Sequence, residues 1–167
     1  LPIFHYGENE LTGHAALWVR NARALHEEGL NPYAFWLAYA REQGVSPWIT
    51  MRMNDIHSVD NPGNYMHSDF WRENPDCRRV PYRFTRWQDA ALDYGREEVR
   101  ARALAQVGEL LETFDLDGLE LDWMRFGYHF RPGHEAEGRE QLTAFMREAR
   151  RLTERAAARL GHPVQLG

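Results

Sequence analysis

The sequence predicts an α/β fold, a partial (β/α)-barrel of parallel strands with covering helices. Three observations predict it. Two short runs of strand character, Pro47 to Met53 and Leu119 to Met124, each follow an amphipathic helical stretch after a tight turn. The chain then repeats the pattern, with a long amphipathic stretch leading into Pro163 to Gly167, which reads as a third strand beginning. Such alternation requires parallel strands joined by right-handed crossovers, in a doubly wound sheet or a barrel. At 167 residues the chain is too short for a closed eight-fold barrel, which takes about 250 residues. A barrel reading therefore makes residues 1–167 a single segment of a larger domain, truncated at both ends.

Each element has its own signal. From Ala15 to Glu28, Ala16, Leu17, Ala22 and Leu25 gather on one side of a helix that Gly29 stops. Asn31 is placed to cap a helix from Pro32 to Gln43, in which Phe35, Trp36, Tyr39 and Ala40 fall at helical spacing. The first strand follows. Asn54 to Gln88 shows no sustained period and reads as one long loop, a length that in compact domains is usually functional. A short extended piece is expected at Ala90 to Tyr94. Glu97 to Phe114 is the clearest helix, with Val99, Leu104, Val107, Leu111 and Phe114 as its apolar stripe. Asp115 to Gly118 turns into the second strand, and a helix from Ala136 to Leu160 ends at Gly161.

Composition narrows the functions. With 43% hydrophobic and 27% charged residues the chain is an ordinary globular protein. A net charge of −5 without a basic block leaves no electrostatic footprint for nucleic acid. All twenty basic residues are arginine, which excludes a lysine Schiff base or a Walker-type phosphate loop. The one cysteine, Cys77, has no internal disulfide partner and reads as an inert loop thiol. No apolar run is long enough to span a bilayer. Leu1 is not a start methionine, which leaves room for a leader and for export of the parent protein. No cofactor motif is present.

The second strand carries the candidate chemistry. Alternation puts Glu120, Asp122 and Met124 on one face, with Leu119, Leu121 and Trp123 on the other. If the leucine face meets helices, the two carboxylates look into a barrel near its C-terminal mouth, where barrel active sites are built. The first strand places Thr50, Arg52 and Asn54 together, so Arg52 is expected to reach Glu120 and hold it ionised, leaving Asp122 free for chemistry. A glycosidic bond is cleaved by two carboxylates, about 5 to 5.5 Å apart for retention and about 6.5 to 9.5 Å for inversion. The plain alternative is that both acids belong to an internal ion network, a reading with more weight for Glu120 than for Asp122.

The loop adds Asn54, Asp55, His57, Asp60, His67 and Asp69. Asn54, Asp55 and His57, with Arg52, Arg125 and His129, are the expected substrate contacts. Imidazole and carboxylate together also suit a divalent metal, but no zinc-motif spacing is present. Tyr65, Phe70, Trp71, Tyr82, Phe84, Trp87, Tyr128 and Phe130 suit the apolar faces of pyranose rings, although most are expected to pack as the loop's own core.

The segment Phe114 to Arg125, with Asp117-Gly118-Leu119-Glu120-Leu121-Asp122 at its centre, resembles the aspartate-glycine strand of the family 10-like glycosyl hydrolases, a group of bacterial barrel proteins. Leu92-Asp93-Tyr94-Gly95 with Glu98-Val99-Arg100, and Met51 to His57, agree with that resemblance, which spans roughly Leu30 to Phe126. The strand is also similar to that of family 18 chitinases, but their catalytic glutamate falls here on Met124, which argues against substrate-assisted catalysis. The resemblance implies a barrel acting on O-glycosidic bonds of a carbohydrate substrate, with Asp122 first and Glu120 second as catalytic residues. A second catalytic carboxylate outside this chain would leave the segment alone inactive. A non-catalytic glycan-binding barrel and a metal-dependent hydrolase using Asp55 and His57 are the alternatives. Self-association through exposed strand edges is expected of an incomplete barrel.

Overall fold

The computed structural model describes residues 13–64 and 66–167. Two helices, α1 (Gly13–Glu27) and α2 (Pro32–Glu42), precede the first strand, β1 (Trp48–Arg52). The long loop holds a short helix, α3 (Asp69–Glu73), and 3-10 turns at Pro75–Cys77 and Trp87–Ala90. Then come α4 (Glu97–Thr113), β2 (Gly118–Asp122), α5 (Glu135–Leu160) and β3 (Gln165–Leu166). The strands form one open parallel sheet in the order β1-β2-β3. The fold is thus mixed α/β with parallel strands, and among the described residues the sheet does not close.

Local chemistry sets the boundaries. Asn31 Oδ1 accepts from the Tyr33 and Ala34 amides at 3.1 and 3.3 Å, the capping expected ahead of Pro32. Gly161 ends α5 at φ 79°, a left-handed position that favours glycine. The expected extended piece at Ala90 to Tyr94 shrinks to one antiparallel bridge, Arg78 to Leu92, because Trp87–Ala90 winds into a 3-10 turn.

The main core lies on one face of the sheet. Leu119 and Leu121, 0% and 4% exposed, pack with Val99, Ala103, Val107 and Leu111 of α4 and Phe145, Ala149 and Ala156 of α5. Burying a leucine side chain contributes roughly 1.5–3 kcal/mol, so this face is fixed against the helices. The other face carries Trp48, Thr50 and Arg52 of β1 with Gly118, Glu120 and Asp122 of β2. Thr50, Arg52 and Glu120 are exposed there, and the Trp48 indole lies across Gly118. A β-carbon on Gly118 would fall 2.3 Å from two Trp48 ring atoms.

Two expected apolar stripes face differently from the reading of the sequence. On α2, Leu37 is the buried residue, while Phe35, Trp36 and Tyr39 are more than half exposed. On α1 the buried residue is Val19, and Leu17 and Leu25 are exposed. Spacing identifies a helix, but which side meets the core depends on the partner's position. No helix among the described residues is long and apolar enough to cross a membrane.

Gly118→Ala should lower stability by roughly 1–3 kcal/mol, the usual cost of overpacking. Combining it with Trp48→Ala should recover part of the loss in a denaturant-unfolding double-mutant cycle, because the clash is between those two side chains.

Candidate functional site

The C-terminal strand ends meet one another on the sheet face opposite the α4–α5 core. In the β1–β2 register Thr50 lies opposite Glu120 and Arg52 opposite Asp122. Thr50 Oγ1 donates to Glu120 Oε2 at 2.6 Å. Asp122 Oδ1 accepts from the amides of Met124 and Arg125 at 3.0 and 2.9 Å, so the carboxylate is oriented by the turn it caps. Its second oxygen is not used by that turn.

The expected Arg52–Glu120 pair does not form. Arg52 Nη1 instead meets Asp55 Oδ2 at 3.0 Å, three residues along its own chain. Alternation puts Arg52 and Glu120 on one face, but the register makes Thr50 the lateral neighbour of Glu120 and leaves Asp55 the carboxylate that meets Arg52.

Asp55 organises the next shell of contacts. Its Oδ1 accepts from the His57 amide at 2.9 Å and lies 2.6 Å from His57 Nδ1. The other ring nitrogen, Nε2, is 3.4 Å from Arg125 Nη2. An arginine only donates, so the contact assigns the proton to Nδ1, facing Asp55, and leaves Nε2 as acceptor. Burial pushes the Asp55 carboxyl up, but hydrogen bonds from the His57 amide, the Arg52 guanidinium and the His57 ring outweigh it and hold the group below its ordinary value.

Two expected substrate contacts are structural instead. Asn54 is buried: its amide donates to the Leu92 and Tyr128 carbonyls and accepts from the Leu92 amide, each at 2.9 Å. The strand ends at Arg52, so the alternation that put Asn54 at the mouth no longer applies. It joins the exit of β1 to the two other segments around the site. His129 donates from Nε2 to the Trp123 carbonyl at 2.9 Å and packs edge-on against Tyr94 and Trp123. Burial holds its imidazole below the ordinary value, and Nδ1 is enclosed without a partner among the described residues. It belongs to the helix-side core with Trp123, which packs on Phe145.

The loop aromatics divide. Trp71 is buried with Ile56, Val59, Ala90 and Ala91 in a second core, donates to the Ala90 carbonyl at 2.8 Å and stacks on His67. His67 in turn meets the Ser58 and Asn61 carbonyls at 2.9 and 3.1 Å. This holds Ser58 at φ 57°, unusual for a non-glycine residue, and fixes the chain just past His57. Tyr82, Phe84 and Trp87 stay exposed, contrary to the expectation that most rings pack inside. Tyr65 lies outside the described residues.

Phe126 was not singled out in the sequence, yet it links the polar and aromatic parts. Its ring meets His57 edge-on at 5.1 Å and Trp87 at 5.7 Å, and Trp87 meets Tyr128 at 5.5 Å. The signal available was its place just past the strand end, beside Arg125. Cys77 is buried, and burial pushes its thiol up, in keeping with an inert group. Among the described residues no three His, Cys, Asp or Glu side chains are grouped to hold a metal. A concavity of about 210 Å³ lies away from the strand ends, beside Asp93, Arg96 and Arg131. The strand-end side chains are reached by solvent, Arg52, Asp55 and His57 being 49%, 31% and 37% exposed.

Fold and site together define a parallel α/β protein with an acidic, aromatic-flanked cluster at its strand ends. No protein-family model matches the chain, and no curated protein matches it.

Asn54→Ala should cost about 1–3 kcal/mol, since it removes the hydrogen bonds of a buried side chain to Leu92 and Tyr128, and this is measurable by thermal or urea unfolding. Asp55 gives a pH dependence of definite sign. Its folded pKa lies below the unfolded value of about 3.9, so its stabilisation is complete above that value and is lost as pH falls through the folded one. Asp55→Asn should flatten that acid limb in unfolding measured from pH 6 to 2.

Proposed function

We propose that this chain is a segment of a (β/α)-barrel glycoside hydrolase, related to the family 10-like glycosyl hydrolases, acting on O-glycosidic bonds of a poly- or oligosaccharide. One observation carries the reading. Glu120 and Asp122 share the face of a parallel sheet opposite the α4–α5 core, with Asp122 at the C-terminal strand end where barrel enzymes assemble their sites.

The sheet fits a segment of a barrel. Its strands run β1-β2-β3 without reversal, and α4 and α5 pack on the same face. A barrel keeps its helices outside and fills the inside with side chains. Trp48 lying over Gly118 suits a filled barrel floor beneath the Thr50–Glu120 layer. Among the described residues β1 and β3 each have one strand neighbour, and in this reading their outer edges take further strands or a second copy of the chain.

In this reading Asp122 is the principal catalytic carboxylate, aimed by its two amide donors and using its second oxygen on the substrate. Glu120, deeper on the same face, is the second acid. Trp87, Phe126 and Tyr128 supply the ring faces on which pyranoses stack. A glycan-binding barrel without turnover is the second reading, favoured by the structural use of one Asp122 oxygen in the turn.

The test is Asp122→Asn in the intact barrel protein. Asparagine keeps an oxygen for the Met124 and Arg125 amides while removing the charge, so folding should survive. Reducing-sugar release from a glycan panel should fall roughly 10²–10⁴-fold. Unchanged release would remove Asp122 from the chemistry, and saturable glycan binding without release by the unsubstituted protein would establish the second reading.

A further inference from the structure

We infer that the strand-end site recognises a carboxylate-bearing sugar, a uronic acid residue, through Arg125. The inference rests on the glycan reading above and names its substrate class.

Arg125 differs from its neighbour Arg52 in having no carboxylate partner among the described residues. The nearby carboxylates are directed elsewhere: Asp55 is shared between Arg52 and His57, Glu120 is bonded to Thr50, and Asp122 meets the Arg125 backbone amide through Oδ1 rather than its guanidinium. The guanidinium of Arg125 is nevertheless held in place. The turn anchors its backbone through Asp122, and the guanidinium itself is placed by two contacts, with Cζ 5.4 Å from the Phe126 ring centre and Nη2 3.4 Å from His57 Nε2. His57 is itself oriented by Asp55.

A pre-oriented arginine whose donors are not spent on a protein carboxylate is the group that binds a planar two-oxygen anion best, through two parallel hydrogen bonds. Holding it beforehand lowers the ordering cost of binding. The surface that continues from it is aromatic, running from Phe126 to Trp87 and Tyr128. A ligand that satisfies both parts has an apolar ring face and a carboxylate attached to the ring. A hexuronate has both, and a neutral hexose lacks the second.

The experiment is calorimetric titration of the protein with galacturonate and glucuronate oligosaccharides, each against its own methyl ester, which keeps the ring and removes the charge. The free acid should bind at least ten-fold more tightly than the ester. Arg125→Ala should abolish that difference while leaving residual ring binding, and Arg125→Lys, which keeps the charge without the fork, should restore only part of it. Raising the salt concentration should weaken the acid and not the ester. Equal affinity for acid and ester, or an acid preference that survives Arg125→Ala, overturns the inference and leaves the glycan reading standing. Binding of none of these sugars, with binding of neutral oligosaccharides from the same panel, overturns the inference alone. Absence of all sugar binding overturns both.

Discussion

The rest of the structure depends on the parallel register of β1 against β2. It sets Thr50 beside Glu120 and Arg52 beside Asp122, and it fixes which side of the sheet the helices take. Leu119 and Leu121 are enclosed by α4 and α5, and a one-residue slip would expose both while driving two carboxylates into an apolar core. Burying ionised acids without partners costs several kcal/mol each, so apolar burial and charge solvation select the same register.

Around that sheet the loops are stitched by buried polar groups as well as by the second apolar core. Asn54 ties the exit of β1 to Leu92 and Tyr128, and Tyr94 donates its hydroxyl to the Met53 carbonyl and its amide to the His129 carbonyl. Buried Arg79 reaches the Phe130 and Gln88 carbonyls. These bonds bring residues far apart in sequence to one rim, so the Asp55–His57–Arg125 chain of contacts sits on a braced frame. A solvent-reached cluster gains the orientation that a closed pocket would otherwise impose.

The sequence disclosed what depends on local periodicity. Alternation in Leu119 to Met124 separated the acids from the leucines, and the amphipathic stretch after Arg96 marked α4. It did not disclose lateral partners. Arg52 shares a face with Glu120, but only the register shows that Thr50 intervenes and that Asp55 lies near enough to take the guanidinium. Alternation was also carried past the strand end, which misplaced Asn54, and a position just beyond β2 does not reveal that His129 folds back onto Tyr94 and Trp123. Phe126 acquires its role only when Trp87 and His57, distant in the chain, come against it. Likewise, helical spacing in α2 was plain while its exposed side was not, because no local signal says where the sheet lies.

One face of β2 carries both acids within reach of solvent, while the other is sealed by helices. Site-by-site thiol labelling measures this directly, and buried Cys77 contributes little background. Cysteines introduced singly at positions 120 and 122 should react with a water-soluble thiol reagent in the folded protein, and cysteines at 119 and 121 only on unfolding. Rapid labelling at 119 or 121 in the native state, with protection at 120 and 122, would contradict the account.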